Sequence, residues 1–174
     1  MIRITTAYRF LTVIGLGLAI FLLDLLELAN PTISEALLLC VSIGKSAYFI
    51  WFTFYNIRET AGHDFYFNDF VPFATLSVLL IILSFGLDYY CLYRINEQAF
   101  SGDFASDNVA GIFLSFLYFS VTTFTTAGLG DIVPHSLSAR IFVMLELFIA
   151  FFFTILVIAN ITHIRDSFSK KARK

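Results

Sequence analysis

Charge is scarce in this chain. Eleven Lys and Arg and 13 Asp and Glu are spread over 174 residues, 14% of the total, against roughly 25% in ordinary soluble domains. Cysteine is scarcer still. Cys40 and Cys91 both lie in apolar runs and lack metal-ligand spacing, so they read as small buried hydrophobes rather than a disulfide pair. The three histidines and the dispersed acids form no cluster with catalytic or metal-binding spacing, which argues against an enzyme and against any chemical cofactor. No apolar run carries Lys or Arg at every third position, so the cation ladder of a voltage-sensing helix is missing. Nothing resembles a nucleic-acid reader, and there is no internal repeat or low-complexity stretch. No soluble ligand-binding domain is expected after the last apolar run, which excludes nucleotide or calcium gating through such a domain.

What is abundant is apolar. The chain is 59% hydrophobic and holds 22 Phe, and these residues fall into long runs of the kind that need about 20 residues to cross a bilayer. Four spans are expected, at 10–29, 33–56, 70–93 and 139–163. Arg3 and Arg9 ahead of the first run imitate a signal peptide, but no small-x-small cleavage site follows, and Asp24 and Glu27 interrupt its end. It is read as a retained span. Asn30 and Pro31 close it, leaving so short a turn that the first two spans form a tight hairpin. The fold class expected is all-α and membrane-embedded. Lys and Arg placement sets the orientation. Arg3, Arg9, Arg58, Arg165, Lys170, Lys171, Arg173 and Lys174 share one side, and only Arg94 and Arg140 the other. Both termini are therefore expected in the cytosol, with segment 94–108 outside.

Between the third and fourth spans lies an aromatic stretch, 109–124, followed by Thr125-Thr126-Ala127-Gly128-Leu129-Gly130-Asp131 and, three residues on, Pro134. Gly128 and Gly130 can take backbone angles closed to other residues, so successive carbonyls can point to one side. At membrane depth such a strip is tolerated only inside protein or along a water-filled path. It resembles the potassium-channel selectivity filter, usually written TVGYGD, in which four facing strips of carbonyls replace the hydration shell of the ion. The resemblance covers 109–163 and implies a re-entrant pore helix and filter, with K⁺ as the bound ion and a homotetramer as the assembly. The hairpin turn after the first span is too short for a second filter, so one pore module per chain is expected. The organisation expected is a two-helix hairpin with its loop at 1–69, a pore module at 70–164 and a basic tail at 165–174.

By the same resemblance, carbonyls or hydroxyls of Thr126, Ala127, Gly128, Leu129 and Gly130 hold the ion, supported by Thr125, Tyr118, Phe119 and Asp131. Two positions that often hold tryptophan in the family are Tyr118 and Phe119 here, and the usual filter tyrosine is Leu129. An apolar contact of Phe119 with Leu129 is expected instead of a hydroxyl-to-indole tether. Phe151, Thr154, Ile158 and Thr162 are expected to line a cavity below the filter. Ala150 occupies the place of a frequent hinge glycine, and Phe151-Phe152-Phe153 offers a hydrophobic constriction. His135, beside Pro134, is a candidate for modulation by pH.

Ionisable residues inside spans are functional candidates. Lys45 falls mid-way along the second span, Asp24 and Asp88 near the outer ends of theirs, and Glu146 about two turns into the fourth. Either Lys45 pairs with one of these acids, Glu146 being the nearest in depth by helical rise, or it snorkels alone. Glu146 has an alternative role as a buttress behind the filter. The tail 170–174 either attracts anionic lipid or merely anchors the chain. The expected function is passive, potassium-selective conduction in a cell membrane. The alternatives are a weakly selective Na⁺/K⁺ channel and a non-conducting regulatory subunit.

Overall fold

The computed structural model describes residues 31–60, 67–102, 104 and 108–171. The expected span at 10–29, with Asp24, lies outside the described residues.

Four helices organise what is described: α1 (Pro31–Thr60), α2 (Phe67–Ile95), α3 (Val109–Phe124) and α4 (Leu137–Lys171). Three contain stretches long and apolar enough to cross a membrane: Ile33–Trp51, Ala74–Ile95 and Leu137–Ala159. A helix is the natural solution there because it satisfies its own backbone where water is absent. Pro31 opens α1, where its missing N–H costs nothing and its fixed φ suits the first turn. The fourth helix is 35 residues long, about 52 Å at 1.5 Å per residue. It therefore runs on well past the expected end of the span and through most of the stretch read as a separate tail.

α3 is different. Its 16 residues reach only about 24 Å, short of the roughly 30 Å hydrocarbon layer. Asn108 caps it, its side chain accepting from the Gly111 N–H at 2.6 Å. Its bounds coincide with the aromatic stretch expected to be a pore helix. It packs mainly on α2, and Gly86 makes the approach close: a Cβ there would lie 3.1 Å from Leu117 Cα.

α1 and α2 run antiparallel, since Ser42 reaches Asp88 while Lys45 reaches Ser84. Where α2, α3 and residues 97–102 meet, aromatic side chains pack together. Tyr89 and Phe116 are fully buried. Phe119 packs edge-on to Tyr89 at 5.0 Å, as Phe100 does to Phe116 at 5.0 Å. Such pairs add roughly 0.5–1.5 kcal/mol each beyond the area they bury.

Segment 94–108 contributes more than a polar connection. After a 3₁₀ turn at Glu97–Ala99 comes β1 (Phe100–Gly102), which pairs antiparallel with β2 (Ile132–Pro134). Gly102 faces Ile132 across this ladder, and Phe100 faces Pro134. The His135 N–H extends it by donating to the Ala99 carbonyl at 2.8 Å. The two strands strap residues 100–102 to the residues that follow the glycine motif.

Candidate functional site

The site begins where α3 ends. Thr125 sits near φ −79°, ψ 0°, and its hydroxyl donates to the Val121 carbonyl at 2.7 Å. The next two N–H groups fold back onto the helix, Thr126 to Thr123 at 2.9 Å and Ala127 to Thr122 at 2.8 Å. The root of the strip is thus bonded to the last turn of α3, whose C-terminus is the negative end of its dipole.

Beyond this root, Thr126, Gly128 and Gly130 have φ of +57°, +53° and +80°, while Ala127 and Leu129 between them do not enter the positive region. Positive φ at every second residue lets successive carbonyls point to one side of the strand. Thr126 is the one non-glycine with positive φ among the described residues, a conformation that costs an ordinary side chain roughly 1–2 kcal/mol. Residues 125–131 are all exposed within one chain. Beside them lies a cleft of about 390 Å³ lined by Phe119, Thr122, Thr123, Leu129, Val143 and Leu147 among others.

The end of the strip farther from α3 is held from two directions. Asp131 lies within hydrogen-bonding reach of Tyr118, whose phenol this contact raises above its ordinary range. Asp131 Oδ1 also accepts from the Ile132 N–H at 3.1 Å. From the other side Gly102 approaches so closely that a Cβ would lie 2.2 Å from the Asp131 carbonyl oxygen. Gly102 and Ala99 were not singled out from sequence, because their role depends on a pairing between segments some 30 residues apart. His135 is exposed, and its described role is the backbone bond to Ala99.

The expected contact of Phe119 with Leu129 is not made within one chain. Phe119 is 6% exposed and packs on Tyr89 and Phe100, whereas Leu129 remains 64% exposed. The two share only the walls of the cleft.

The intramembrane charges divide in a way that helical rise alone does not give. Lys45 forms a buried ion pair with Asp88, not with Glu146. Its Nζ also donates to Ser84 Oγ at 2.8 Å and lies 5.1 Å from the centre of the Phe85 ring. Side chains lean toward the N-terminus of their own helix. In an antiparallel pair, Lys45 and Asp88 therefore lean toward each other and close a gap that counting along the helices leaves open. Glu146 is fully buried elsewhere, with Oε2 2.5 Å from the Tyr89 hydroxyl and Oε1 2.5 Å from that of Ser120. Tyr89 and Ser120 were missed in the sequence. An acid in an apolar helix must find polar partners at its own depth, and these two lie next to Asp88 and Phe119 in the chain.

On α4, Phe151, Thr154 and Ile158 are exposed along one stripe, continued toward the N-terminus of the helix by Leu147 and Phe148. The side chain of Thr162 lies outside what is described. The three phenylalanines do not act as one block, since Phe153 is buried while Phe151 is 67% exposed. Ala150 is buried and the helix runs through it unbroken. The Thr154 hydroxyl donates to the Ala150 carbonyl at 2.8 Å.

Residues 77–165 match a family model described as an ion channel. A 64-residue stretch is 38% identical to Two-pore potassium channel 4 of Arabidopsis thaliana, covering 37% of this chain and 20% of that protein. The chain thus matches about one fifth of the length of this curated relative. No solved structure matches. The matched region takes in just over half of the chain, including most of α2, all of α3, the strip and most of α4. The chain belongs to the ion-channel family, a family of channels and not of enzymes.

Proposed function

We propose that four copies of this chain surround one axis and conduct K⁺ passively through the strip Thr126–Gly130. The observation that carries this reading is the alternation of positive φ at Thr126, Gly128 and Gly130, which gathers carbonyls on one side as ion replacement of water requires. One strip supplies one wall, so several copies must close the ring. The cleft beside the strip and the exposed stripe of α4 are surfaces that neighbouring copies would cover. In this assembly Phe151, Thr154 and Ile158, with Thr162 continuing the series, line the cavity below the filter, and Asp131 adds negative potential at its mouth. His135, exposed beside Pro134, is the candidate for modulating entry.

The pore module takes in residues 70–164, with the hairpin at 1–69 as a scaffold added to it. Both termini lie in the cytosol of a plasma or inner membrane, and the basic tail contacts anionic lipid. The chain conducts without a standard voltage sensor. A weakly selective Na⁺/K⁺ channel is the second reading, favoured by two observations: Leu129 has no tight packing in its own chain, and Ala127 leaves little bulk behind the strip. Reversal potentials under bi-ionic conditions separate the two.

The test is K⁺ against Na⁺ flux through purified protein in liposomes, with Gly130→Ala as the control. K⁺ flux that the substitution abolishes supports the filter. Flux indifferent to it sinks the assignment, and absence of flux from the wild type favours a regulatory subunit.

A further inference from the structure

Ser120 has more acceptors around it than one hydroxyl can serve. Its Oγ lies 2.9 Å from the Ile82 carbonyl on α2 and 2.5 Å from Glu146 Oε1 on α4. A serine hydroxyl carries a single proton. If that proton goes to a carboxylate, Oγ and the Ile82 oxygen face each other at 2.9 Å with no hydrogen between them. If it goes to Ile82, Oγ and a carboxylate oxygen stand 2.5 Å apart with none. One arrangement gives every contact a proton: the carboxyl O–H of Glu146 donates to Ser120 Oγ, Ser120 donates to Ile82, and Tyr89 donates to Glu146 Oε2.

Charge balance points the same way. Among the described residues, the groups bonded to Glu146 are Tyr89 on α2 and Ser120 on α3, both uncharged, with Asp88 and Lys45 the charged groups within electrostatic reach. The cation in this part of the bundle, Lys45 on α1, is already paired with Asp88 and donates further to Ser84. Among the described residues, an ionised Glu146 would be a fully buried charge with no ion-pair partner of its own and with the Asp88 carboxylate nearby, and buried acids in that position take up a proton instead.

We propose that Glu146 carries a proton and is the positioning residue that fixes α3, and with it the strip, against α2. The chain of bonds reaches both sides of the pore helix. Ser120 is one turn from the helix end on which the strip is rooted, and Tyr89 packs on Phe119. A neutral acid suits this place because it donates and accepts at once, joining three helices through one side chain. The role rests on the reading of the strip as the ion path.

Glu146→Gln keeps one donor and one acceptor without a titrating proton, Glu146→Leu keeps bulk alone, and Ser120→Ala removes the central link. In proteoliposomes, Glu146→Gln is expected to preserve the K⁺ over Na⁺ preference of the wild type. Glu146→Leu and Ser120→Ala are expected to lose it about tenfold, the scale of one buried hydrogen bond left unmade. Infrared spectra of the wild type should contain a protonated-carboxyl carbonyl band that Glu146→Gln lacks. The proposal is overturned if that band is missing, if Gln is as damaging as Leu, or if Leu matches the wild type. If the wild type itself passes no K⁺, the reading of the strip fails, while the band still decides whether Glu146 holds a proton.

Discussion

Thr126, Gly128 and Gly130 share a positive φ, yet substitution should act differently at the glycines than at Gly102. A Cβ at Gly128 or Gly130 meets nothing within 4 Å in one chain, so alanine there costs conformation alone, about 1–2 kcal/mol per site. At Gly102 a Cβ collides with the Asp131 carbonyl, and the strap between β1 and β2 must part. Gly102→Ala is therefore expected to lower thermal stability in detergent more than Gly130→Ala does. Gly130→Ala should be the more damaging to K⁺ flux, because it alters the carbonyl strip itself. Equal melting temperatures for the two variants would count against this account of the strap. Thr126 shows why a residue-level reading stops short. Threonine gives no hint of the left-handed region, and it is held there by the bonds of residues 125–127 to the last turn of α3.

At the scale of elements, α1 is tied to the pore module by a buried pair, Lys45 and Asp88, supported by Ser42 and Ser84. Removing one partner strands the other charge, and Lys45→Met or Asp88→Leu alone is expected to cost about 3–5 kcal/mol. The double variant should recover most of that loss, which a double-mutant cycle of detergent melting curves would measure. A Lys45→Glu, Glu146→Lys swap is expected to rescue nothing. The pair illustrates what was legible from sequence. The apolar runs marked three helices long and apolar enough to cross a membrane, though α4 continues to Lys171 beyond the expected 163, and α3 coincides with the aromatic stretch 109–124, because the bilayer fixes length and composition together. That Lys45 either pairs with an acid or snorkels was legible too, but the pairing with Asp88 depended on the antiparallel lean of side chains. The β1–β2 strap was not legible at all. Strands of three residues carry no periodicity, and their pairing is decided by the tertiary fold that brings them together.

At the scale of the whole molecule, the difference between Phe119 and Leu129 separates the folding of a chain from its assembly. Phe119 is buried among Tyr89 and Phe100 of its own chain, so Phe119→Ala should cost about 3–5 kcal/mol of folding stability and reduce helical content on heating. Leu129 contributes little surface to its own chain, and Leu129→Ser should leave the fold of a single chain almost untouched, within about 0.5 kcal/mol. Its cost should appear only where a neighbour's wall closes on it. In the proposed tetramer, Leu129→Ser is therefore expected to lower the temperature at which four chains part on a denaturing gel, and to loosen K⁺ over Na⁺ selectivity. Circular dichroism of the same sample should stay unchanged. If Leu129→Ser instead unfolds the helices, or leaves the four-chain species and its selectivity as they were, the side chain does not act at an interface between copies. The apolar brace would then have to be sought on the Phe119 side of the cleft alone.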